Sequence, residues 1–375
     1  MKKFFDVNVF LSVIQVLIIT GMAAMFLFFM SGCEADYPHS GETVDELPHI
    51  SLNVINRAAD SDLNVVFVPE AYMAIQMGDF LHEVLTAWKI LRETSPYNYC
   101  LDKMNVYYTT ELVSDSDTLG ISRTAFGLEK PKQYSAHAPI CLDSIKSVSK
   151  RLPFPLDKTV LVVLTNLENP NLGFTLLTTP SANQKIPQTV VIPSFFNSSH
   201  SGPAFIHEMG HAIGLLADEY YGSEEDFVFD ETEKQSILSL QEFGVYLNVS
   251  VSPDSSEVYW HEFLADNAFP EEKIGIYEGG NLYPHGVWRP TENSVMRHHF
   301  QSDRYSAIDR YLVCRRIEQM HCGRELSYSE WKLMDSEYPM QSIDWVGITG
   351  ANSRGENQEE PWECDYNYND VVIVE

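Results

Sequence analysis

A chain of 375 residues with 44% hydrophobic and 12% aromatic content can bury a substantial core. Its 53 acidic residues outnumber 25 Lys and Arg, and the formal net charge of −28 argues against nucleic-acid binding, which needs a basic face for phosphate. An acidic surface favours solubility and suits a protein held near a membrane without lying on it.

Lys2 and Lys3 precede a mostly apolar run, residues 9–30, and then Ser31-Gly32-Cys33 and an acidic stretch containing proline. A positive start, an apolar middle and small residues before a cut form the layout of a secretory signal. The cysteine after Ser-Gly resembles a bacterial lipobox. Residues 1–32 therefore read as a lipoprotein signal peptide, and Cys33 as the lipidated residue that anchors the chain to a membrane. The same run is long enough to span a bilayer as an uncleaved anchor. Either way residues 34–375 are expected outside the cytoplasm, at the outer membrane or cell surface. Five cysteines follow, Cys100, Cys141, Cys314, Cys322 and Cys364. An odd number cannot all pair, and the candidate pairs are Cys314 with Cys322 and Cys100 with Cys141. No Cys-x-x-Cys spacing suggests a second zinc.

Residues 33–61 read as the lipidated cysteine followed by a polar tether over 34–61. Residues 63–68 form a buried strand and residues 74–91 a helix with apolar positions at helical spacing. Further strands fall at 104–108, at 160–165 (Val-Leu-Val-Val-Leu-Thr) and at 189–193, and a helix at 306–320. The alternation gives an α/β fold with a mixed sheet, in one domain over residues 62–340 whose upper and lower parts flank a cleft. The stretch from Ile276 to Arg297 is too rich in Gly, Pro and polar groups for a regular element. It reads as a long ordered loop ending in a tight turn at Ser294-Val295-Met296. Residues 341–375 form an acidic tail, with seven acidic residues against Arg354 from position 351 onward. Within it Asp365-Tyr-Asn367-Tyr-Asn369-Asp370 alternates oxygen side chains as a calcium loop does. It lacks a glycine turn and a distal bidentate glutamate, so a solvated strand or tail is the favoured reading over Ca2+. Asn197-Ser-Ser and Asn248-Val-Ser match the glycosylation pattern, which a bacterial lipoprotein would not use.

The chemistry concentrates at His207-Glu208-Met209-Gly210-His211, followed by Ala-Ile-Gly214-Leu-Leu-Ala217-Asp218. Two histidines four apart on a helix share a face and reach one zinc ion. Glu208, next to the first, points too far round the helix to ligate. It is placed to take a proton from a zinc-bound water, as in a metallopeptidase. Pro203 near the first turn suits a helix start. The bland alternative is an amphipathic core helix that happens to carry two histidines. In the longer signature HExxHxxGxxH, the glycine lets the chain leave the helix and return a third ligand. Here the expected position holds Ala217, which cannot bind metal. Asp218 follows it, and zinc accepts carboxylate oxygen. Glu219 is the nearest rival, with Glu224, Glu225 and Asp226 further on. Tyr283, His285, Arg289 and His298 lie near the Ser294–Met296 turn, as does His299. The first four are candidates to contact a transition state or substrate, although Arg289 also has the option of pairing with Glu278.

These segments resemble the IgA-cleaving zinc metallopeptidase family of bacteria, a metzincin-like group. The likeness rests on His207 to Tyr220, on Tyr277-Glu-Gly-Gly through Gly286-Val-Trp-Arg289-Pro290 to Met296-Arg297, and on Val65 to Phe80. It covers roughly residues 62–335. In the third segment the family usually shows Asp-Gly-Tyr, where this chain has Glu70-Ala71-Tyr72. The resemblance implies a metzincin-like zinc peptidase domain with a methionine turn at Met296. It implies His207, His211 and Asp218 as zinc ligands and Glu208 as the base. The expected function is a zinc-dependent endopeptidase acting on extracellular or periplasmic proteins. The competing expectation is a proteolytically inactive zinc-containing lipoprotein that binds a host protein or glycan.

Overall fold

The computed structural model describes residues 49–111, 142–166, 173–179, 184–196, 201–223, 227–298, 302, 304–338, 343, 345, 348 and 371–374. Short apolar runs with β-branched residues form its sheet strands: β1 (Asn53–Asn56), β2 (Asn64–Glu70), β3 (Asn105–Tyr108), β4 (Thr159–Thr165), β5 (Phe174–Thr178) and β6 (Gln188–Pro193). A separate two-stranded hairpin follows, β7 (Tyr277–Gly280) and β8 (Tyr283–Arg289), and β9 (Val371–Val374) rejoins the main sheet. The seven-stranded sheet has the order β1-β3-β2-β4-β6-β5-β9. Strands β3, β2, β4 and β6 are parallel, while β1 runs against β3 and β5 runs against β6 but parallel to β9.

Strands β2, β4 and β6 are buried throughout, as strands covered on both faces must be. Alternation sorts their side chains into two cores. Val65, Phe67, Val160, Val162, Val190 and Ile192 enter the larger one. It is completed by α1 (Met77–Glu93), with α2 (Leu142–Lys150) on the other face, where Val66, Val68, Leu161, Val163 and Val191 point. Helix α3 (Ser201–Gly214) lies in the larger core. The remaining helices are α4 (Glu231–Glu242), α5 (His261–Asp266), α6 (Val295–His298), α7 (Ala307–Cys322) and α8 (Tyr328–Ser336). A third cluster (Leu215, Ala217, Ile237, Val249, Val287) joins the hairpin to the segment after α3.

A buried Arg310 ties α7 to its surroundings. It pairs with Asp335 of α8 and Glu272, both at 2.9 Å. Asp335 also accepts from Tyr99 at 2.9 Å, so three distant segments share one ionic knot. Glu83 of α1 plays a similar part for β6, accepting from the Ser194 hydroxyl and, at 2.8 Å, from the Phe195 N–H. Burial pushes its carboxyl up, and those hydrogen bonds partly offset the push.

Four expectations change. Strand β1 lies inside the stretch read as tether. The stretch read as a long loop contains the β7–β8 hairpin. Strand β9 lies inside the stretch read as an acidic tail. The cysteines that meet are Cys100 and Cys314, both buried with Sγ atoms 3.5 Å apart, whereas Cys322 points at the Glu318 carbonyl. Cys141, Cys364, the glycosylation-like Asn197 and the Asp365–Asp370 run lie outside the described residues, as do Cys33 and all of residues 1–48.

Ala71, at the corner after β2, has φ of 58°, the left-handed region that favours glycine. The family usually places glycine there. Ala71→Gly should raise stability by about 1 kcal/mol, the relief of left-handed strain less the added freedom of the unfolded chain. Urea unfolding monitored by tryptophan fluorescence reads this directly, and equal or lower stability would contradict the strain.

Candidate metal centre

Helix α3 carries His207, Glu208 and His211, and all of its residues are buried. Packing explains its sequence. A Cβ on Gly210 would lie 2.7 Å from Met296 Sδ and 3.0 Å from Tyr305 Cε1, so only glycine admits both. The Tyr305 hydroxyl in turn donates to the Ile206 carbonyl and lies 3.1 Å from the Tyr97 hydroxyl. Gly214 does not play its expected role. Its backbone is not in the left-handed region, and the residue that turns the chain out of the helix is Leu215, at φ of 54°. Gly214 is small because helix α7 comes close: a Cβ there would meet Val313 Cγ2 at 2.7 Å.

Beyond the turn, three clasps fix the segment that carries Asp218. The Asn248 side chain pairs with both backbone groups of Ala217, accepting from its N–H at 2.7 Å and donating to its carbonyl at 2.9 Å. The hairpin turn at Asn281-Leu282, left-handed at both residues, donates Asn281 N–H to the Asp218 carbonyl at 2.7 Å and Leu282 N–H to the Tyr220 carbonyl at 3.1 Å. The Glu219 N–H donates to the Met296 carbonyl at 2.9 Å.

The histidine rings are oriented from behind. Nδ1 of His207 lies 3.0 Å from the Val295 carbonyl and Nδ1 of His211 2.7 Å from the Leu216 carbonyl. A carbonyl only accepts, so each Nδ1 carries the proton and each Nε2 presents a lone pair. The two Nε2 atoms are 3.0 Å apart. Asp218 Oδ1 sits 3.1 Å and 3.2 Å from them, is buried, and accepts no hydrogen bond. Three acceptor atoms within 4.8 Å of one another, facing a common point, fit a cation.

Glu208 follows His207 on α3 and is held by a residue that sequence reasoning missed. Thr175 of β5 donates its hydroxyl to Glu208 Oε2 at 2.7 Å and approaches the Glu208 carbonyl at 3.1 Å. Thr175 and Asn248 carry no local signal: each is an ordinary polar residue until the fold sets it opposite α3 or Ala217.

Glu219 does not join the ligands. It accepts from Ser294 at 2.6 Å and Asn248 at 3.3 Å, and faces Asp309 across a buried contact. Burial raises both carboxyls, Asp309 well above its usual value, so the pair shares a proton. Glu224, Glu225 and Asp226 lie outside the described residues. Met296 is fully buried beneath Gly210, within the short helix α6 where the turn was expected.

The four candidate substrate contacts have other engagements. Arg289 donates to the Glu278 and Gly279 carbonyls at 2.6 Å each, bracing the hairpin through the backbone of Glu278 and not through its carboxylate. Burial and nearby Arg297 lower it to about 10. Tyr283 packs on Phe229 and hydrogen-bonds Glu233, and its hydroxyl is raised by burial and by that carboxylate. His285 is exposed and lies 3.4 Å from Glu278. His298 is half-buried and lowered to about 4 by burial and by Arg297 and Arg289, so it is neutral at neutral pH. His299 lies outside the described residues.

Residues 191–268 match the IgA Peptidase M64 family model. The matched span holds His207, Glu208, His211 and Asp218, and it supports the family resemblance read from the sequence. It points to a metallopeptidase, an enzyme whose substrates are proteins or peptides. The hairpin and the Val65–Phe80 segment lie outside the match. No curated protein matches the chain.

Because Gly214 answers a close approach and not a φ requirement, Gly214→Ala should destabilise by about 1–3 kcal/mol through overpacking. Adding Val313→Ala should recover part of that loss. A double-mutant cycle by chemical denaturation measures the coupling, and additive effects would contradict the contact.

Proposed function

We propose that the protein is a zinc-dependent endopeptidase. The observation that carries the reading is the convergence of His207 Nε2, His211 Nε2 and the unpartnered Asp218 Oδ1 beside a carboxylate, Glu208, that belongs to the same helix but not to the ligand set. Two imidazoles and one carboxylate are a zinc donor set. Bound there, zinc would acidify a water and polarise the scissile carbonyl.

The chain's own residues supply the rest. Glu208 accepts the proton of the attacking water as its oxygen joins the carbonyl carbon, then delivers it to the amine nitrogen as the C–N bond breaks. The Thr175 hydroxyl fixes Oε2 of Glu208, which leaves the carboxylate one orientation for both transfers. Tyr220 stacks against His207, with ring centroids 6.3 Å apart, and walls that side of the ring. Met296 against Gly210 and the Val295 carbonyl behind His207 support reading this segment as a metzincin-like methionine turn. An intact, positioned Glu208 favours an enzyme over the inactive binding lipoprotein, which has no use for a base.

The setting belongs to the same proposal. A lipid at Cys33 would anchor the domain to a bacterial envelope membrane facing outward, where its substrates would be extracellular or periplasmic proteins. This rests on the order of the first residues: Lys2, Lys3, the apolar run and Ser31-Gly32-Cys33.

Glu208→Gln should keep the metal and lower turnover by about 10²–10⁴-fold. Asp218→Ala should lose metal and activity together, while Glu219→Ala keeps the metal with lower stability or rate. The checks are metal content by plasma mass spectrometry and chelator-sensitive new termini from a denatured protein mixture. Cleavage by Glu208→Gln at the rate of the parent chain would sink the mechanism.

A further inference from the structure

Strand β5 is the part of the sheet that reaches the base. Thr175 holds Glu208, and a Cβ on Gly173, just before the strand, would lie 3.6 Å from Glu208 Oε1. One edge of β5 pairs with β6. The other edge is a row of backbone donors and acceptors that includes Thr175, and such a row accepts an extended peptide as an added strand. That row is taken. Strand β9 lies along it in parallel, with Val371 opposite Thr175, Val372 opposite Leu176, Ile373 opposite Leu177 and Val374 opposite Thr178. The pairing begins at the residue that positions the base.

From this juxtaposition we infer that β9 is an intramolecular competitor for the peptide edge of β5, and that peptides gain the edge only when β9 leaves it. The inference rests on the peptidase reading. The segment suits the role. Val-Val-Ile-Val is strongly strand-forming, and tethering presents it at an effective concentration on the order of millimolar. With only four residues, the ladder is short enough for a longer peptide to displace. The segment also indicates the chemistry the edge accepts: an extended, apolar, β-branched stretch of peptide.

The test uses the full chain with Val372→Pro and Ile373→Pro, which removes two strand N–H groups from β9. A fluorescent peptide with the sequence of residues 367–375 is titrated into Glu208→Ala chains carrying the native or the proline segment. A segment seated roughly nine-tenths of the time weakens binding in trans about tenfold, so the proline chain should bind the peptide about tenfold more tightly. With Glu208 intact, the proline chain should cleave an unstructured substrate below KM faster by a similar factor. A second variant, Val371→Gly with Ile373→Gly, keeps every N–H and lowers strand preference. It should shift both readouts in the same direction by roughly threefold, and it carries the test alone if the proline chain does not fold. Equal binding to the native and altered segments, or no binding to either, overturns the inference. Tighter peptide binding to the altered chains with no cleavage by any chain containing Glu208 overturns the peptidase reading and leaves the competition standing.

Discussion

Three acceptor atoms, two imidazole nitrogens and one carboxylate oxygen, are held within 4.8 Å of one another where none is exposed to water. The Asp218 oxygen is costly unless a cation joins it, because a buried carboxylate oxygen that accepts no hydrogen bond loses its hydration and gains no donor in return. Much of the surrounding structure serves to hold the cluster together. The carbonyls of Val295 and Leu216 fix the proton on the far side of each ring. Gly210 lets Met296 and Tyr305 press against the helix from beneath, so the histidines have a rigid floor. The backbone clasps from Asn248 and the hairpin turn keep Asp218 from swinging into solvent, where a lone carboxylate would be more stable.

Glu219 shows how a second acid is tolerated one residue from the first. Both are buried, and two bare carboxylates at that spacing would repel. The structure gives them opposite environments. Asp218 faces the histidines, whereas Glu219 is turned to Ser294, Asn248 and Asp309, and burial raises its carboxyl. Successive side chains in an extended segment point to opposite sides, so this division follows from the backbone after Leu215. One carboxylate is left for a metal and the other becomes part of the scaffold joining this segment to α7.

The legible parts of the sequence were those with a short period or a fixed spacing. The two histidines four apart needed only a helix. The runs now seen as β2, β4 and β6 needed only apolar β-branched composition, and the run read as a helix over 306–320, now α7, needed only apolar positions at helical spacing. What escaped depended on distant partners. The β7–β8 hairpin is written in Gly, Pro and polar residues because it packs by backbone hydrogen bonds and the Arg289 brace, not by an alternating apolar face. Strand β1 pairs only through one edge of β3, so its polar composition resembled a tether. Gly214 was noticed for the right reason in the family pattern and serves another here: Leu215 takes the left-handed turn, and glycine is needed where Val313 approaches.

The clasps on the metal segment also share a property that bears on how the site arises. The Asn248–Ala217 pair spans 31 residues and the His207–Val295 contact 88. The partners reside on β8's turn, on α6 and on the segment after α4, so the cluster exists only when these units have docked. A cation that fits the folded cluster gains little from the unfolded chain, where the same three side chains are scattered. Its binding energy therefore adds to folding stability, as linkage requires for any ligand that prefers the native state. The buried acceptors thus cost stability in the metal-free chain and contribute it once a cation joins them. That exchange makes Asn248, which clasps both Ala217 and Glu219, as much a part of the site's energetics as the three clustered acceptors themselves.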